Sequence, residues 1–132
     1  MNTQTIADCM ALSFANTPFP AVVHKLVGAG VQAYAADLIA LRNTYYNAGE
    51  ESVDEAIPLA DAPSIAESFD KDRVAATVTA IQRGEIGYAE FLRRIMQAGC
   101  ARYGVFIVGR KVMYFGRQGD FHAEPFPAAN RA

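Results

Sequence analysis

The chain reads AGVQAY at residues 29–34 and AGCARY at residues 98–103, sixty-nine residues further on. In each copy a helix-like apolar stretch ends at the glycine and a strand-like stretch begins after it. Gly30 and Gly99 therefore stand where a helix needs a residue of positive φ at its C-terminus. The match widens in both directions at the same offset. Val22, Leu26 and Val27 align with Phe91, Ile95 and Met96, and Leu38 and Ile39 with Ile107 and Val108. Tyr45 and Tyr46 align with Tyr114 and Phe115, and the register runs without a gap from Ala11 to Tyr46. Self-similarity at one period marks repeated supersecondary units, neither of which can bury its faces alone.

Each unit reads as two helices and a hairpin. Ile6, Cys9, Met10 and Phe14 are spaced as one helix face, and Val74, Val78 and Ile81 as its counterpart. Thr17 before Pro18 predicts an N-cap and a first-turn proline for the second helix; Gly84 to Gly87 is the matching turn. Tyr103, Val105 and Ile107 alternate as a strand, and Gly109-Arg110 turns the chain into Val112–Phe115. In the first copy Tyr34–Leu41 leads to a return strand at Thr44–Tyr46. The expected fold is α+β: two helix-helix-β-hairpin repeats, at about residues 5–47 and 74–116, forming one antiparallel sheet of at least four strands covered by helices on one face. The copies are expected to pack about a pseudo-twofold axis through an interface rich in aromatic rings. A single domain over residues 1–132 is expected, with 48–72 as an acidic connecting segment. In that segment Ser64 and Glu67 have capping-box spacing, and Asp70 stands as a cap for the next helix. Phe121–Phe126 reads as a short edge strand ended by Pro125 and Pro127.

A chain of 132 residues with 52% hydrophobic and 20% charged residues has the composition of a folded domain, not of a disordered one. The apolar run at 21–31 is broken by His24 and Lys25 and falls short of a membrane span, and the first basic residue is Lys25, so no secretory leader is read. No membrane association is expected, and a cytoplasmic location is the default. Cys9 and Cys100 are read as small core hydrophobes. The net charge of −2 argues against nucleic acid as a partner. Charge is nevertheless uneven: residues 50–72 carry eight acids against Lys71 alone, and residues 83–117 carry seven bases against Glu85 and Glu90. Two solvated faces are the plain reading; attraction between the regions is the sharper one.

The stretches TYYNAGE, AIQRGEIGYAEFLRRIMQAGC, YGVFIVGRKVMYFGRQGD and HAEPFP resemble the YbcV-like family of small bacterial proteins. Some members of that family sit in prophages and carry the label phage envelope protein. The resemblance covers nearly the whole chain and implies no activity and no catalytic residues.

Chemistry concentrates after the second unit. On a strand Asp120, His122 and Glu124 share a face, and an imidazole between carboxylates suits a general base. The plain alternative is a solvated edge-strand face. One strand offers too few ligands for a metal shell, so neither metal nor cofactor is expected. Arg117, between Gly116 and Gly119, suits an anion. Tyr45 and Tyr46 precede Glu50, and strand alternation sends one ring inward and one outward. A cleft shared by Tyr45, Tyr46, Glu50, Arg117 and His122 is the sharper expectation, motivated by the repeat. The favoured function is a non-enzymatic interaction or accessory protein of prophage origin, with self-association or an unidentified protein as partner. Small-ligand binding or a minor enzymatic activity in the Arg117, Asp120, His122 and Glu124 region is the alternative. A third reading, nucleic-acid binding through Arg93, Arg94, Arg102, Arg110 and Lys111, requires those side chains on one continuous surface.

Overall fold

A computed structural model describes residues 1–127. Helices α1 (Thr3–Phe14) and α2 (Phe19–Gly28) lead into strands β1 (Ala33–Asp37), β2 (Arg42–Tyr46) and β3 (Ser52–Ala56). The order then recurs as α3 (Lys71–Gln82), α4 (Tyr88–Gln97), β4 (Cys100–Phe106), β5 (Lys111–Gly116) and β6 (Phe121–Pro125). The six strands form one open antiparallel sheet in the order β3-β2-β1-β4-β5-β6. The fold is α+β, as the residue pattern predicts. Helices α2 and α4 start 69 residues apart, as do β3 and β6. At the centre of the sheet Ala35 of β1 lies opposite Gly104 of β4.

The helix ends follow local chemistry. Asn2 and Asp70 accept hydrogen bonds from the amides of Thr5 and Arg73, both at 3.0 Å, which caps α1 and α3. Thr17 does not cap α2. Pro18 takes that position, Pro20 sits in the first turn, and the Thr17 amide closes α1 by donating to the Leu12 carbonyl at 3.0 Å. The amide of Tyr88 donates to Asn16 Oδ1 at 3.0 Å, so a residue following α1 caps α4 from 72 positions away. Ile6, Cys9, Val74 and Val78 are buried, as their spacing predicts.

The segment at 48–72 is more than a connection, because Ser52–Ala56 forms β3 and pairs with β2. Its alternation is weak, since an edge strand has one neighbour and tolerates charge; Asp54 accepts from Thr44 Oγ1 at 2.7 Å. Ser64–Glu67 forms no helix either. The chain there passes the end of α4 without regular structure, held by the Ala66 amide on the Met96 carbonyl and the Asp70 amide on the Ala98 carbonyl.

Tyr34, Ala36, Asn43, Tyr45, Tyr103, Val105, Val112 and Tyr114 are buried on the helix-covered side of the sheet, and α1, α3 and α4 contact it. The opposite side carries the exposed rings of Tyr46, Phe106 and Phe121.

Candidate functional site

Strand pairing sets two inward rows across the sheet. One runs Asn43, Ala36, Tyr103, Tyr114, His122, and the other Tyr45, Tyr34, Val105, Val112, Glu124. Between these rows and the helices lies a cavity of about 650 Å³. Its floor includes Tyr34, Asn43, Tyr45, Tyr103 and Tyr114, and its helical wall includes Cys9, Met10, Ser13, Val22, Val78, Tyr88 and Phe91. Exposed turn residues Asn16, Pro18, Gly84 and Glu85 line its outer end, together with Pro125.

Five tyrosines give the cavity its chemistry. Tyr34 and Tyr45 pack with ring centroids 5.0 Å apart, and Tyr103 and Tyr114 at 5.5 Å, both tilted. Tyr88 stacks on Phe91 at 6.0 Å, and its hydroxyl is hydrogen-bonded to that of Tyr103. Asn43 Nδ2 donates to the Tyr45 hydroxyl at 3.0 Å. Asn43 Oδ1 is buried and has no hydrogen-bond partner among the described residues. Burial drives the phenols of Tyr34, Tyr45, Tyr103 and Tyr114 well above the usual range and pushes Tyr88 up to about 12, because a phenolate there loses its solvation. All five are neutral hydroxyls at ordinary pH, able to donate and accept but not to act as ready bases. Burial likewise raises the thiol of Cys9, and that of Cys100 to about 12, so both cysteines are unreactive core residues.

The residues singled out from the sequence are only partly brought together. Tyr45 and Glu124 line the cavity; Tyr46, Glu50, Arg117, Asp120 and His122 do not. Tyr46 is on the opposite sheet face, as alternation requires, and is 43% exposed. Glu50 lies exposed in the turn between β2 and β3. Arg117 follows β5 and donates to the Ile65 carbonyl at 3.4 Å. The shared cleft is thus replaced by a cavity on one sheet face. Asp120 precedes β6 and is exposed, so the expected triplet reduces to a pair. That pair does not lie on a solvated face: His122 continues the Tyr114 row, its ring stacks on Tyr114 at 6.5 Å, and its Nε2 is 2.6 Å from Glu124 Oε2. Among the described residues no His, Cys, Asp and Glu group has the arrangement to hold a metal ion.

The charged regions meet through carbonyls. Arg93 donates to the Ala60 carbonyl at 3.0 Å, as Arg117 does to that of Ile65, so the bases bind the backbone of the acidic segment, not its carboxylates. The basic residues also divide: Arg93 and Arg94 lie on α4, Arg102 and Lys111 on the open side of the sheet, and Arg110 lies over the Phe126 ring. They form no single surface of the kind a nucleic-acid backbone needs. Among the described residues no helix is long and apolar enough to cross a membrane.

Alternation sends one of Tyr45 and Tyr46 inward, and Tyr45 is that ring; it does not single out Asn43. The signal was a polar residue at the second position of β2, where β5 carries Val112.

A family model described as "Protein of unknown function (DUF1398)" matches residues 11–124. An uncharacterised protein of Mycobacterium tuberculosis is 28% identical over 110 residues, covering 83% of this chain and 67% of that protein. An uncharacterised protein of Mycobacterium bovis aligns with the same identity and coverage.

Proposed function

Since the chain belongs to the DUF1398 family of proteins of unknown function, we propose its role from the cavity: a non-enzymatic accessory protein that holds a small, largely apolar molecule between helices and sheet. The observation that carries this reading is the tyrosine-lined space of about 650 Å³. Ligand sites typically measure about 300–1,000 Å³, with apolar walls and a few placed polar groups. A core without an occupant closes such a space, because protein interiors pack densely. The resemblance to YbcV-like proteins supports a prophage-derived setting, with a cytoplasmic location. The matched element spacing supports one domain built as a pseudo-twofold repeat. In this reading Glu124 serves as part of the cavity wall, His122 as its hydrogen-bonded neighbour and Asp120 as a solvated residue before β6, none of them as a catalytic group.

Nile red, a neutral dye whose emission reports an apolar environment, tests this. The wild type is expected to take up one dye per chain with brightened, blue-shifted emission. Ser13 lines the cavity from α1 and is half-buried. Ser13→Phe places a ring in that space and is expected to weaken uptake at least ten-fold while the cooperative melt is retained. Absence of uptake by the wild type, or unchanged uptake by a folded Ser13→Phe variant, overturns the reading.

A second reading, self-association, is favoured by the open sheet face. There Tyr46 and Phe106 flank Ala33 in one row, beside both acids (Asp37, Asp54) and bases (Arg42, Arg102, Lys111). A face carrying both signs can pair with its own copy about a twofold axis. Phe106→Glu is expected to convert a dimer to a monomer in sedimentation velocity. A wild type that is monomeric at high concentration defeats this reading.

A further inference from the structure

Resting on the cavity reading, we infer that the cavity selects an uncharged ring compound bearing a hydroxyl or N–H donor, and that Asn43 is the residue that reads that donor.

Packing alone does not require a polar group at Asn43. Asn43 is the second residue of β2 and Val112 the second residue of β5; both face the helices and both line the cavity. Valine meets the steric needs of that pleat position on β5. On β2 the chain instead buries an amide at 3% exposure. Its Nδ2 is used by the Tyr45 hydroxyl, and its Oδ1 has no partner among the described residues. A buried acceptor left unpaired is costly, and a ligand that donates to it removes the cost. An amide oxygen only accepts, so the partner must donate. The tyrosine hydroxyls beside it do not impose this direction, since a phenol both donates and accepts.

Charge narrows the class further. Among the described residues, those lining the cavity include no lysine, arginine or histidine, and they include two carboxylates, Glu85 and Glu124. A ligand carboxylate or phosphate would lose its hydration, find no cation and face acidic groups, so anions are rejected. Tyr34, Tyr45, Tyr88 and Tyr103 line the cavity, and aromatic side chains there suit an aromatic or other ring body. Sites that hydrogen-bond a ligand O–H discriminate strongly against analogues lacking it, because the site's own polar group is then stranded.

Three naphthalenes of one shape test this by calorimetry: 2-naphthol, 2-methoxynaphthalene and 2-naphthoate. The wild type is expected to bind 2-naphthol at least ten-fold more tightly than 2-methoxynaphthalene, and to show no heat with 2-naphthoate. Asn43→Val, copying the residue of β5, is expected to bring the naphthol to methoxynaphthalene ratio below three-fold, with methoxynaphthalene binding undiminished. Asn43→Thr, which keeps a hydroxyl, is the second variant should valine impair folding; it is expected to keep part of the preference. Equal binding of naphthol and methoxynaphthalene by the wild type, tight naphthoate binding, or a full preference surviving in Asn43→Val overturns the inference while leaving the cavity reading intact. If Nile red and all three naphthalenes fail to bind, the cavity reading itself has failed.

Discussion

Gly99→Ala is expected to destabilise the protein by about 4 kcal/mol or more, against about 1–2 kcal/mol for Gly30→Ala, in urea denaturation at neutral pH. Both glycines follow a helix and both have positive φ, 92° at Gly30 and 95° at Gly99. Alanine at either place bears the cost of the left-handed region. Their surroundings differ. A Cβ on Gly30 meets nothing closer than Met1, at 3.8 Å, whereas a Cβ on Gly99 would lie 2.2 Å from the Ser68 carbonyl oxygen and 2.8 Å from Phe69 Cα. Those are backbone atoms held by the Ala66 and Asp70 hydrogen bonds to the end of α4, so relief requires breaking that strap. Equal losses from the two substitutions would show that the strap is not pinned against Gly99.

The second expected result is a cooperative alkaline transition in which buried tyrosines ionise only as the chain unfolds. In an unfolded chain a phenol ionises near pH ~10. Burial raises Tyr34, Tyr45, Tyr103 and Tyr114 well above that and Tyr88 to about 12. Between these values the folded protein keeps protons that the unfolded chain releases. The raised values therefore contribute stability that is whole below about pH 10 and is lost as pH climbs through the folded values, at about 1.4 kcal/mol per phenol for each pH unit of separation. Several such groups acting together exhaust a typical domain stability of about 5–15 kcal/mol before they titrate singly. Five of the six tyrosines should develop phenolate absorbance in one step, together with loss of far-ultraviolet circular dichroism. Gradual ionisation near pH 10 with the dichroism intact would mean that the rings sit in water.

These two results bear on what was readable in advance. The two glycines look alike in the sequence, and both do stop a helix, because helix termination is a property of a few consecutive residues. Only one is pressed against another segment, since Ser68 lies 31 positions away from Gly99 and arrives through tertiary folding. The alternation of Tyr103 with Val105, and the opposite directions of Tyr45 and Tyr46, were likewise readable, because strand alternation is local; which face the helices cover was not. The edge strand β3 was not, since Ser-Val-Asp-Glu-Ala carries little apolar signal and is held by its pairing with β2. The candidate site followed the same division. Tyr45 and Glu124 are candidates that do line the cavity, while Tyr46, Glu50, Arg117 and His122, joined to Tyr45 in one cleft by the repeat, do not.

By itself, then, the sequence determined the helix stops, the alternation of the principal strands and an α+β sheet with one covered face, for each follows from residue period and backbone sterics over a few neighbours. Tertiary structure alone decided that the covered face encloses a space. An inward tyrosine has the same period in the sequence whether its ring meets a neighbour or a void. The difference lies in how far the four helices stand from the sheet, and that distance is set jointly by side chains far apart in the chain.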